Sequence, residues 1–247
     1  FPMKGKGGVP GEVEDHPHHR SLWFTHGAVN GVDFWAENND QKGKIVSENV
    51  EHSIKNGVGE IRARNKWAAP DGTIHLTDET TIRVRGTADA RFLDYEVTLK
   101  APPDKPVVFG DTKEGSMAIR VPLWMTPAHK QGKNVHEGKG TIVNAEGIRD
   151  TDSRNKKSDD NWGKRSPWVD YHAPKGGKVY GIAMFDHPKN PRHPTWWHVR
   201  SYALFAANPF GQHDFEKLSD AKAGDLTIPA GGRVTFRWRF YFHEGDE

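Results

Sequence analysis

The segment Arg233 to Phe242 constrains the fold most: Val234, Phe236, Trp238, Phe240 and Phe242 alternate with Arg233, Thr235, Arg237, Arg239 and Tyr241. In a strand, successive side chains point to opposite faces, so this pattern describes a strand with one buried side. The same period of two runs from Lys44 to Ala101. Ile61, Ala63, Asn65 and Trp67 alternate with Glu60, Arg62, Arg64 and Lys66. Thr80, Ile82 and Val84 alternate with Thr81, Arg83 and Arg85, and Leu93, Tyr95, Val97 and Leu99 with Asp94, Glu96, Thr98 and Lys100. Pro70-Asp71-Gly72 and Pro229-Ala230-Gly231-Gly232 supply turn chemistry. One apolar and one charged face per strand is the signature of antiparallel sheet covered on one side. Helical periodicity is weak throughout, with one short helix expected near Phe215 to Ala221. The predicted fold class is all-β: an antiparallel β-sandwich with little helix.

The 247 residues fit one such domain, 1–247. The stretch 127–166 is dense in Gly, Asn, Asp and Lys and reads as a long irregular loop insertion, around a site or mobile. Phe1 to Val13 is a Gly- and Pro-rich lead-in, and the absence of an initiator Met reads as processing or trimming. Nine Trp and twelve Phe make up for few aliphatic residues, each burying a large area. A formal charge of +2 gives no field for nucleic acid. The absence of Cys excludes disulfides, thiolate metal sites and a cysteine nucleophile. No apolar run is long enough to span a bilayer. The expected partner is a small-molecule or oligosaccharide substrate. Oligomeric state is left open, and a periplasmic or secreted location is expected over a cytoplasmic one.

Two segments concentrate the chemistry. Asp15-His16-Pro17-His18-His19-Arg20-Ser21-Leu22-Trp23-Phe24-Thr25-His26 places four imidazoles beside a carboxylate, a guanidinium and an aromatic pair. Turn residues Asn30-Gly31 then return Trp35 towards the histidines. Asp186-His187-Pro188 leads through Arg192, His193, Trp196, Trp197 and His198 to Arg200 in similar grammar. Histidine titrates near neutrality and is the commonest metal ligand, and burying such a cluster costs solvation. If the segments converge, with Asp15, Glu114 and Asp186 as carboxylates, three chemistries fit. The first is acid–base work on a carbohydrate, with an indole stacked on the sugar's C–H face. The second is a divalent metal, with His16, His18 and His19 close in sequence and His187, His193 or His198 completing the shell; His16, His18 and His187 are the leading candidate ligands. The third is a satisfied polar core that pins loops.

The ordered motifs Asp-His-Pro-His-His-Arg-Ser-Leu-Trp-Phe-Thr-His-Gly, Gly-Asp-Thr-Lys-Glu-Gly-Ser, Phe-Asp-His-Pro, Arg-His-Pro-Thr-Trp-Trp-His-Val-Arg and Ala-Ala-Asn-Pro-Phe-Gly resemble the PmoA-like family, from about Pro10 to the C-terminus. That bacterial family of unknown function is often labelled "methane oxygenase PmoA". The resemblance implies a galactose-mutarotase-type sandwich and a link to sugar metabolism. It does not imply the oxygenase, whose membrane subunit of that name is built of transmembrane helices.

The expected function is a carbohydrate-active enzyme performing hydrolysis, β-elimination or epimerisation. His19 and His198 form its imidazole pair, Glu114 is the carboxylate and Arg200 the orienting cation. Trp23 or Trp197 is the stacking platform, and His18, His26 and His193 are further substrate-binding residues. His243 is expected at the surface, outside the site. The alternatives are a non-catalytic carbohydrate-binding module with structural histidines, and a metal-dependent enzyme or oxygenase.

Overall fold

In the computed structural model, which describes residues 16, 18–37 and 39–245, the alternating C-terminal segment is the central strand of a nine-stranded sheet. The strands are β1 (Leu22–His26), β2 (Lys44–Lys55), β3 (Val58–Ala68), β4 (Ile74–Gly86), β5 (Arg91–Lys100), β6 (Val107–Phe109), β7 (Gly115–Arg120), β8 (Pro127–Gln131) and β9 (Asn134–Lys139). They continue as β10 (Thr141–Asn144), β11 (Arg149–Asp150), β12 (Trp168–Lys175), β13 (Lys178–Asp186), β14 (Trp196–Val199), β15 (Leu204–Asn208), β16 (Leu226–Ile228) and β17 (Arg233–Glu244). The large sheet runs β11-β10-β12-β13-β17-β5-β4-β3-β2 and the second, four-stranded sheet β1-β7-β15-β14; all pairings within them are antiparallel. The fold is the expected β-sandwich. The only α-helix among the described residues is α1 (Gln212–Glu216), ended by Lys217 in the left-handed region.

The core lies where the two sheets meet. Trp67, Leu76, Val97, Phe236 and Trp238 face Phe24, Met117, Ile119, Trp197 and Phe205, all of them buried in one cluster. Phe24 touches both Trp67 and Trp238 across the interface, at ring separations of 6.1 and 5.7 Å. At one end of the large sheet the same alternation stays uncovered: Val50, Ile54, Ile61 and Val84 are exposed.

Two expectations are corrected. The stretch 127–166 is not a single irregular insertion, because β8 to β11 lie in it. β8 and β9 form a two-stranded sheet of their own, with one further bridge from Ala128 to Asp152, and carry no apolar alternation, so the period of two is absent there. The remainder is tied down: Asp150 accepts hydrogen bonds from the backbone of Asp160 and Asn161, and Asp159 from Ser201 N–H. His243 is buried, not at the surface. It crosses Gly181, where a Cβ would lie 2.2 Å from its ring, to reach Asp170 on β12. The lead-in 1–13 lies outside the described residues.

Candidate functional site

The outward face of the four-stranded sheet holds the chemistry. Trp23, Ala118, Ala206 and His198 are register partners in one row across β1, β7, β15 and β14. The two alanines leave room above the middle strands, and Trp23, Trp35 and Tyr202 pack over them as a small second apolar cluster. On this aromatic base sit the first histidines. His19 stacks on Trp23 at 5.2 Å, and His16 stacks on both His19 and Tyr202 at 4.7 and 5.1 Å. His18 meets His19 edge-on at 4.5 Å. Trp35 also contacts His19, at 5.7 Å, so the turn after β1 brings it back as expected.

Obligate donors and acceptors fix two tautomers. Arg120 Nη1 lies 3.1 Å from His19 Nδ1, and a guanidinium can only donate, so Nδ1 of His19 accepts. His198 Nδ1 lies 2.7 Å from the Lys113 carbonyl, which can only accept, so Nδ1 carries the proton and Nε2 the lone pair. Burial lowers His198 to about 4, against the opposing pull of Glu114, so the ring is neutral at pH 7. His18 is also lowered, by burial first and then by His16. Burial raises Tyr202.

Glu114 is central: its charge acts on His18, His198 and Tyr202 together. It pairs with Lys113 at the mouth of β7. Its backbone carbonyl accepts from Gly27 N–H at 2.7 Å. Gly27 is required here, because a Cβ would lie 2.8 Å from that of Glu114. Arg200 reaches Ser158 Oγ at 3.2 Å and lies over the Tyr202 ring at 5.5 Å. Two buried donors of this cluster, Trp23 Nε1 and Arg200 Nε, have no hydrogen-bond partner among the described residues. Buried N–H groups are ordinarily paired, so these two point to an acceptor-bearing ligand or water.

The model of a family of unknown function, DUF6807, matches residues 4–247. The chain belongs to DUF6807. The PmoA-like name read from the motifs is not confirmed by this match. No curated protein matches the sequence. Among solved structures, an α-galactosidase from Lactobacillus brevis is similar at 9% identity and a TM-score of 0.46, covering 99% of this chain and 34% of that one. The DUF6807 chain thus spans about a third of that enzyme's length. A galactose mutarotase-like protein from Lactobacillus casei is similar at 13% identity and a TM-score of 0.33, covering 79% of this chain and 73% of that one. A polysaccharide lyase is similar at 11% identity and a TM-score of 0.28, covering 95% of this chain and 30% of that one.

Of the residues expected in the site of this DUF6807 chain, His16, His18, His19, Trp23, Glu114, His198 and Arg200 come together. His26 does not join them as a ligand-binding group. It is fully buried, with Nε2 2.7 Å from the Gly110 carbonyl and Nδ1 3.3 Å from Ser116 Oγ, so its nitrogens are spent on holding β1 to the loop before β7. Trp197 faces the core, and its Nε1 donates to Ser166 O at 2.8 Å; alternation along β14 sends Trp197 and His198 to opposite faces. His193 and His187 line a separate cleft on the large sheet, with Asp186. Asp15 lies outside the described residues.

The metal set is not formed: among the described residues no three His, Cys, Asp or Glu groups are placed to hold an ion. His16 and His19 are stacked face to face, so their in-plane lone pairs do not converge, and His187 is elsewhere. Sequence reasoning missed Arg120 and Tyr202. The signal for Arg120 was available, as a lone cation in the otherwise apolar strand from Met117 to Val121. No helix among the described residues is long and apolar enough to cross a membrane.

Proposed function

We propose that this DUF6807 chain is a carbohydrate-active enzyme whose site is the outward face of the four-stranded sheet. His198 acts there as a general base through Nε2, Glu114 is the second proton-transfer group, and Arg200 orients the substrate. His18 and Trp23 line the sugar. The observation that carries this reading is the pair of unpartnered buried donors, Trp23 Nε1 and Arg200 Nε, in one cluster with a neutral imidazole and a carboxylate. A sugar supplies oxygens to such donors and a C–H face to the indole. His19 is a positioning residue, held by Arg120, and not one of an imidazole pair. Hydrolysis, β-elimination and epimerisation all need proton transfer of this kind.

The test is turnover on a panel of glycosides, uronic-acid glycosides and oxidised sugars. Glu114→Gln and His198→Ala are expected to lose about 10²–10⁴-fold in rate while staying folded. The exposed His52→Ala serves as the control. The acid limb of the rate profile should lie near pH 4, because His198 must be deprotonated to act and burial lowers it to about 4. Variants that turn over substrate like the parent remove the reading. The rival, a non-catalytic sugar-binding module, is favoured by the satisfied nitrogens of His26. It wins if the panel binds without turnover.

A further inference from the structure

The opposite side of the molecule carries a second built surface. On the solvent face of the nine-stranded sheet, β4, β5, β17, β13 and the start of β12 border a cleft of about 820 Å³, within the usual range for small-ligand sites. The rest of that face is charged, yet here aromatic rings interrupt it. Trp168 and Phe185 are register partners with rings 6.4 Å apart, and Phe185 is 37% exposed. Phe92 and Tyr241 stack at 5.0 Å along the other side.

The charges within the cleft cancel locally. Arg237 pairs with Glu96 at 2.6 Å, Arg239 with Asp94, and Arg83 with Glu60 at 2.7 Å. The three guanidiniums that line the cleft are all paired, with Arg85 outside the lining over the Phe92 ring, and the fixed carboxylates and N–H groups still offer hydrogen bonds. At the rim, His193 Nδ1 lies 2.7 Å from Asp186 Oδ2. Asp186 is itself held by Asn190 Nδ2 at 2.7 Å and by Thr195 N–H at 3.1 Å. An anchored carboxylate fixes the ring and turns Nε2 away from itself.

We infer that this cleft is a second carbohydrate-binding site, for a neutral oligosaccharide, separate from the site on the four-stranded sheet. Trp168 and the exposed Phe185 offer ring faces to sugar units, while Tyr241 and Phe92 are covered by each other and by His243, Arg85 and Arg239 and form a wall. Paired charges with an oriented imidazole address hydroxyls without selecting charge. Its existence does not depend on whether the first site turns over substrate.

The experiment is calorimetric titration of the whole chain with neutral hexaoses: β-1,4-linked glucose, xylose and galactose, and α-1,4-linked glucose. At least one should bind with a Kd at or below the millimolar range. Phe185→Ala and Trp168→Ala should each weaken it tenfold or more, while Glu114→Gln leaves it within twofold. Backbone amide spectra should show the hexaose perturbing residues of β13 and β17; this reads the site in the parent even where a variant is unstable. Binding to none of the four hexaoses overturns the inference. So does binding that is lost in Glu114→Gln but kept in Phe185→Ala, which would place the oligosaccharide in the first site alone.

Discussion

His26 and His198 on the four-stranded sheet and His243 on the nine-stranded sheet are all buried, yet their pKa values move in opposite directions. His26 and His198 meet neutral partners: a backbone carbonyl each, with the Ser116 hydroxyl beside His26. Burial then dominates and takes both down to about 4. His243 has two acceptors, the Gly245 carbonyl at 3.0 Å from Nδ1 and Asp170 Oδ1 at 3.0 Å from Nε2. Both nitrogens must then donate, which only the imidazolium can do. Burial still opposes the charge, but Asp170 outweighs it and His243 is raised, while Asp170 is lowered by His172 and His243 against its own burial. Burial alone therefore does not set the state of a histidine; the charge of its nearest acceptor does.

The largest expected effect is on the acid side. His26 and His198 have folded values below the ordinary value of about 6.5, so the unfolded chain takes up their protons first as pH falls. Their stabilisation is present above about 6.5 and declines towards 4, by about 3 kcal/mol for each ring. Asp78 and Asp186, raised by burial, work in the opposite direction at the low end. The clean reading is thus a difference between two chains. Denaturant midpoints from pH 6.5 to 4 should fall less steeply for His26→Gln than for the parent. Parallel slopes would break the comparison.

An effect of similar size for a single group is expected at the other sheet. Asp170→Asn removes the charge that holds His243 protonated and should cost about 3 kcal/mol at neutral pH, or roughly 6–12 °C in Tm. Because His243 is raised, its contribution is complete below about 6.5 and is lost as pH rises through its folded value. The parent should lose stability along that alkaline limb, and Asp170→Asn should not. A limb that persists in the variant would assign it to another group.

The smallest effect concerns His19. Its Nδ1 accepts from the buried Arg120, so His19→Ala leaves a donor without that acceptor and should cost about 1–2 kcal/mol in a thermal melt. If His19 positions and His198 transfers the proton, His19→Ala should keep the acid limb near pH 4. A limb displaced towards neutrality would show that His19 does more than position and helps to set the titration of the remaining base.

The two histidine-rich segments show how much of the site was legible in the sequence. Their shared Asp-His-Pro grammar suggested one shared site, but the second segment divides. Its first half is a loop knot: Arg192 donates to the carbonyls of Pro209, Gly224 and Asp225, and Asn190 bridges Asp186 and β17. Its second half, His198 and Arg200, crosses to the first cluster along β14. Glu114 was recognisable from its glycine-flanked loop. Arg120 and Tyr202 were overlooked because each lies in an apolar stretch that reads as core.

What the sequence by itself determined is the β class and the facing of each strand, since a period of two is a local property of the backbone. Val234 to Phe242 could face only one way, and they do. Which apolar faces are covered was decided by the tertiary structure: Trp67 is buried and Ile61, on the same face of β3, is 42% exposed. The same holds for the imidazoles. His198 finds its carbonyl 85 residues away and His243 its carboxylate 73 residues away. Burial and protonation depend on groups brought close by sheet packing, and no local pattern encodes which distant strand arrives.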